Sequence, residues 1–164
     1  MLSDEEKRLI EEEAGRYPSR RAAISEALMI AQEKRGWISD ETLADVAAAV
    51  GIPAAAAESV ATFYELVYRK PVGKHIILAC DSVSCWIRDG ESILGALKAK
   101  LGVELGGTTA DGEFTLLPAA CLGLCEQAPA VMIDGLPYGN LTVERLDAII
   151  DGMRGRAHGE APVR

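Results

Sequence analysis

Up to about Val67, apolar side chains recur every three or four positions, the spacing of helices that bury one face. Ser3 and Glu6 have the spacing of a capping box and predict a helix running to about Gly15, before Tyr17-Pro18-Ser19 breaks the pattern. A second helix carries Ile24, Leu28 and Ala31 on one face and stops at Gly36. Trp37-Ile38 follows as an apolar plug. Ser39 caps a third helix with Leu43, Val46, Ala47 and Val50 in register, and Gly51 ends it. Pro53 suits a first helical turn, and a fourth helix is expected through the alanines to Val60, Phe63, Tyr64 and Val67. Such stripes form the core of a bundle, so residues 1–72 read as a small all-α helical bundle.

The period changes after Arg69-Lys70-Pro71-Val72-Gly73. Lys74 to Ala79 is short, apolar and bounded by breakers, a buried strand that delivers Cys80 at its end. Residues 89–101 return to helical spacing through Ile93, Leu94, Leu97 and Leu101. A strand is expected at Val103 to Leu105. Asp111-Gly112 is expected to turn into a strand at Phe114-Thr115-Leu116-Leu117, and Ala130 to Ile133 forms another. Asp134-Gly135 turns into a short strand near Tyr138, and a last helix starts at Thr142 with Val143, Leu146, Ile150 and Met153 on one side. The order from residue 74 is β-α-β-β-β-α, an α/β domain over 73–155, parallel through its first crossover and antiparallel afterwards. Residues 156–164 read as a flexible tail, with His158 solvated.

Composition narrows the function. The chain has 164 residues, 49% hydrophobic and 26% charged, enough to bury a core without disulfide staples. A net charge of −8 disfavours a nucleic-acid partner. The acidic start Met1-Leu2-Ser3-Asp4-Glu5-Glu6 is unlike a signal peptide, and no apolar run approaches the ~18–20 residues of a membrane span. A cytoplasmic location is expected, where thiols stay reduced.

The chemistry lies in the four cysteines of the chain, which fall in two tight pairs. Cys80 and Cys85 have four residues between them, Cys121 and Cys125 have three, and 35 residues separate the pairs. Disulfides would be strained or exposed in such short loops. A Cys₄ zinc site prefers knuckles with two intervening residues. A 2Fe–2S cluster is wider than a zinc ion and suits wider spacing. Val83, Trp86, Ala119, Ala120, Leu122 and Leu124 are apolar or small and are expected to shield it, while Gly123 lets the backbone approach sulfur. The residues alone favour iron–sulfur and leave zinc open. No GxGxxG fingerprint or P-loop is present, nor a nucleophile–base pair. His75 is expected to be structural and Arg88 a surface residue.

Several blocks carry a family resemblance: Gln32-Glu33-Lys34-Arg35-Gly36-Trp37-Ile38, Val60-Ala61-Thr62-Phe63-Tyr64, Pro71-Val72-Gly73-Lys74-His75, Phe114-Thr115-Leu116-Leu117-Pro118, the two cysteine loops, and Ala128-Pro129. Over residues 17–153 or so the chain resembles the thioredoxin-like 2Fe–2S subunits (the E type) of bacterial NADH:quinone oxidoreductase, respiratory complex I. The resemblance implies a thioredoxin-like 2Fe–2S ferredoxin domain with Cys80, Cys85, Cys121 and Cys125 as cluster ligands. It also implies electron exchange with FMN on a partner flavoprotein that oxidises NADH. A further partner is an iron–sulfur subunit of the same peripheral arm, on the cytoplasmic side of the inner membrane. The helical part is suited to docking neighbouring subunits. Similar subunits serve NAD-dependent formate dehydrogenases and NAD-linked hydrogenases, and a zinc-stabilised interaction module is the rival from another class.

Overall fold

The computed structural model describes residues 1–154; the expected tail at 156–164, with His158, lies outside the described residues. The chain divides into two compact units, Met1–Pro71 and Val72 onward.

The first unit is helical: α1 (Asp4–Ala14), α2 (Ile24–Arg35), α3 (Asp40–Val50) and α4 (Ala54–Ala61), with a 3₁₀ turn at Arg20–Ala23. The helix ends follow local chemistry. The Ser3–Glu6 capping box is formed, Ser39 accepts from the Thr42 N–H, and Gly36 and Gly51 end their helices in the left-handed region. Ile10, Leu28, Ile38, Val46, Val50 and Ala57 meet in one core. The fourth helix stops at Ala61, six residues short of Val67. Thr62 turns its hydroxyl back to the Glu58 carbonyl (2.8 Å), and the chain leaves as an irregular segment. Buried Gln32 holds that segment, donating to the Leu66 carbonyl and accepting from the Tyr68 N–H, both at 2.7 Å. Phe63 and Tyr64 therefore stand exposed and only Val67 joins the core.

The second unit is a mixed sheet with helices: β1 (His75–Cys80), α5 (Val83–Ile87), α6 (Gly90–Leu101), β2 (Gly107–Thr108), β3 (Phe114–Ala119), β4 (Val131–Ile133), β5 (Leu136–Tyr138) and α7 (Val143–Met153). The sheet order is β2-β3-β1-β4-β5. β1 runs parallel to β3 from His75↔Phe114 to Cys80↔Ala119, and the other pairs are antiparallel. The parallel pair is joined through α6, and α6 and α7 pack together, sharing a core of Ile77, Leu97, Phe114, Leu116, Leu146 and Ile150. Two details differ from expectation. The strand expected at Val103–Leu105 is a turn, closed by the Gly107 N–H donating to the Glu104 carbonyl (2.9 Å), and pairing with β3 starts at Gly107. Val143, expected on the apolar side of α7, is exposed.

Candidate metal centre

Parallel pairing decides where the cysteines lie. Strands running the same way end at the same edge of the sheet, so β1 brings Cys80 beside Ala119, two residues before Cys121. The ladder continues one step beyond Cys80, with the Asp81 N–H donating to the Ala119 carbonyl (2.8 Å) and tying the two loops at their base. The first loop folds into the short helix α5, which buries Cys85. The second loop turns at Gly123 (φ 72°) into a 3₁₀ turn over Cys125–Gln127, followed by a cis Ala128–Pro129 peptide.

All four thiols are free of disulfides and converge. Cys80 stands near both Cys85 and Cys121, and Cys121 near Cys125 and the Ser82 hydroxyl, close enough to shift the titration of Cys85 and Cys121. The Gly123 N–H donates to Cys121 Sγ at 3.4 Å. Their surroundings differ in sign. Burial pushes the Cys85 thiol up to about 11, helped by its hydrogen bond with Cys80 and opposed by the Ala130 N–H. The Gly123 N–H and then Ser82 hold the Cys121 thiol below its ordinary value. Ligation of a metal needs every thiol deprotonated, and a cationic centre against these sulfurs would supply that for the buried Cys85 as well. Cys85 also lies within electrostatic reach of Cys125, so the four sulfurs form one cluster, and two irons bridged by sulfide are a target wide enough to take all four.

The structure brings together all four cysteines singled out in the sequence, and the Gly123 backbone approaches sulfur as expected. The expected apolar shield is different. Val83 and Trp86 are 64% and 60% exposed, and Ala120 is exposed. Cys85 is covered instead by Ala128 and Ala130, with Leu124 beside them. Two contributors have little or no sequence signal. Ser82 offers a weak one, a hydroxyl inside the first loop. The Ala130 N–H offers none, being a backbone group far along the chain from the thiol it serves. Arg88 is exposed, capping α5. His75 begins β1, roughly 16 Å of strand from Cys80, and is buried with Nδ1 2.6 Å from Asp134.

The mixed sheet with four thiols gathered at its edge falls in the class of thioredoxin-like iron–sulfur proteins. The family of thioredoxin-like [2Fe-2S] ferredoxins matches residues 10–154, and the chain belongs to it. The E subunit of NADH-quinone oxidoreductase from Pseudomonas aeruginosa is 46% identical over 151 residues, which cover 92% of this chain and 91% of that one. Its counterpart from Escherichia coli (strain K12) is 45% identical over 150 residues, covering 92% and 90%. Among solved structures, an NAD⁺-reducing [NiFe]-hydrogenase in its air-oxidised state matches with a TM-score of 0.66 at 28% identity. That match covers 77% of this chain and 22% of the hydrogenase chain. The chain carries a 2Fe–2S cluster, as its family does. Among the described residues no single helix is long and apolar enough to cross a membrane.

Proposed function

We propose that this chain is the electron-transferring E subunit of an NADH:quinone oxidoreductase, with Cys80, Cys85, Cys121 and Cys125 as the ligands of its 2Fe–2S cluster. The observation that carries the reading is the convergence of four thiols at one sheet edge, in a chain that matches such subunits over nine-tenths of its length. The partner is a flavoprotein subunit that holds FMN and oxidises NADH, beside an iron–sulfur subunit of the same arm on the cytoplasmic side of the membrane. When bound, the cluster takes up and returns one electron. The chain's own residues set the terms of that exchange. Four thiolates, two ferric ions and two sulfides carry a charge of about −2, which becomes about −3 on reduction. Burial of Cys85 opposes the added charge, whereas N–H groups aimed at sulfur, from Gly123 to Cys121 and from Ala130 to Cys85, favour it. With neither a dinucleotide fingerprint nor a P-loop in its sequence, the chain passes electrons and relies on its partner for NADH.

The hydrogenase likeness favours one second reading, the equivalent subunit of a soluble NAD-linked enzyme. The 46% identity to a respiratory subunit, against 28% to the hydrogenase, ranks it second, and the subunits that co-purify separate the two. The cluster assignment is tested on anaerobically purified protein by visible absorption with iron and acid-labile sulfide. Two irons and two sulfides per chain are expected. A colourless protein holding one zinc would refute the reading. Cys121→Ala is expected to lose the visible bands or release the cluster rapidly, and an unaltered spectrum would remove Cys121 from the ligand set.

A further inference from the structure

Each cysteine loop is backed by a glycine with no room for a side chain. Gly90, the first residue of α6, lies against the main chain of Cys85. A Cβ at Gly90 would sit 2.7 Å from the Cys85 carbonyl oxygen, 2.8 Å from its carbonyl carbon and 3.3 Å from its Cβ. Gly139, between β5 and α7, lies against Gln127, two residues past Cys125. There a Cβ would collide with the Gln127 Cβ and sit 2.8 Å from the Gln127 carbonyl oxygen. Neither glycine has the positive φ that would itself demand glycine, and at Gly90, in a helix, alanine is ordinarily favoured over glycine. The requirement is therefore one of space.

Nor can the cysteine segments simply retreat. Cys85 is wedged against Ala128 and Ala130, and the crevice it shares with Cys80, Gly90, Ile93 and Ala130 measures about 10 Å³, no more than a water needs. The turn after Cys125 is pinned from the other side. Asn140 N–H donates to the Gln127 carbonyl (2.5 Å), Leu141 N–H to the Pro129 carbonyl (3.1 Å), and Arg145 Nη1 to the Gly139 carbonyl (2.8 Å). A methyl group at Gly90 must push the main chain of Cys85 itself, and one at Gly139 must push Gln127, two residues beyond Cys125.

We propose that Gly90 and Gly139 are positioning residues for the 2Fe–2S cluster, setting where the Cys85 and Cys125 thiols stand relative to the other two. The proposal rests on the four-cysteine ligand reading. Sulfur placement governs the iron–sulfur geometry and the N–H contacts to sulfur, and therefore the potential and the spectrum of the reduced centre.

The test compares Gly90→Ala and Gly139→Ala with Gly95→Ala and Gly152→Ala in the full chain. The last two lie within α6 and α7, where an added Cβ meets nothing within 4 Å. Readouts are iron and sulfide content, the electron paramagnetic resonance spectrum of the reduced protein, the midpoint potential, and the circular dichroism of each variant stripped of iron. Gly90→Ala and Gly139→Ala are expected to fold, to show displaced spectra and potentials, and to lose iron faster than wild type on anaerobic gel filtration. The two control variants are expected to match wild type. Spectra, potentials and retention indistinguishable from the controls would overturn the proposal. So would variants that fail to fold under conditions where iron-free wild type is folded, since the glycines would then serve the fold and not the ligands. A wild-type protein without iron and sulfide would instead fail the ligand reading, before any glycine variant is made.

Discussion

At Glu6, one carboxylate closes the first turn of α1 and anchors α2. Its Oε2 accepts from the Ser3 N–H and hydroxyl, both at 2.7 Å, and the Arg35 guanidinium grips both oxygens. The side chain is almost wholly buried. Its hydrogen bond with Arg35, aided by those from Ser3 and opposed by burial, holds its pKa well below the ordinary carboxylate range, at about 2. A depressed folded pKa adds stability that is complete above the unfolded value of about 4.3 and is lost as pH falls towards the folded one. Glu6→Gln is expected to cost about 2–3 kcal/mol at pH 7 by urea denaturation of the full chain. The gap to wild type is expected to close between about pH 4.5 and pH 2. The capping half of this site is legible as Ser3-x-x-Glu6, but Arg35 is not, because a partner 29 residues away has no local signature.

Elements are legible where a period or a cap runs long enough, and obscure where neither does. Helices α1 to α3, with their Ser and Gly ends, follow directly from the pattern. The pattern overextends the fourth because Phe63, Tyr64 and Val67 prolong the apolar spacing. What ends it is a tertiary competitor, Gln32, whose amide satisfies the main chain of residues 66–68. Gln32→Leu keeps the approximate volume and removes both bonds. It is expected to cost about 2–3 kcal/mol through two main-chain groups that lose their partner, and to speed amide hydrogen exchange at Tyr68. Helix α5 is invisible to the pattern because its five residues show no period. Its consequence reaches the site, since the helix buries Cys85 and leaves Val83 and Trp86 exposed. The convergence of the four cysteines is legible through spacing and resemblance together. The Ala130 N–H and the two glycine contacts are not, because they depend on how segments distant in sequence pack behind the loops.

For the molecule as a whole, the two units have separate hydrophobic cores, one in the helices and one around the sheet. A chain built this way can divide its labour, one core carrying the redox centre and the other serving assembly. Removing residues 1–72 is expected to leave a folded, coloured domain that binds the flavoprotein at least about tenfold more weakly, a loss of roughly 1.4 kcal/mol. Unchanged affinity, measured by titration of the flavoprotein with the truncated chain, would refute a docking role for the helices.

The parallel register of β1 on β3 also bears on how the protein matures. Cys80 and Cys85 leave the ribosome well before Cys121 and Cys125, and neither pair alone offers four ligands. The halves meet only after the crossover through α6 has closed, a long-range pairing that forms late compared with local helix. Iron and sulfide delivered to a nascent or misregistered chain find half a site. With these four cysteines as ligands, cluster retention becomes a quality mark, borne only by chains whose central strands have paired correctly.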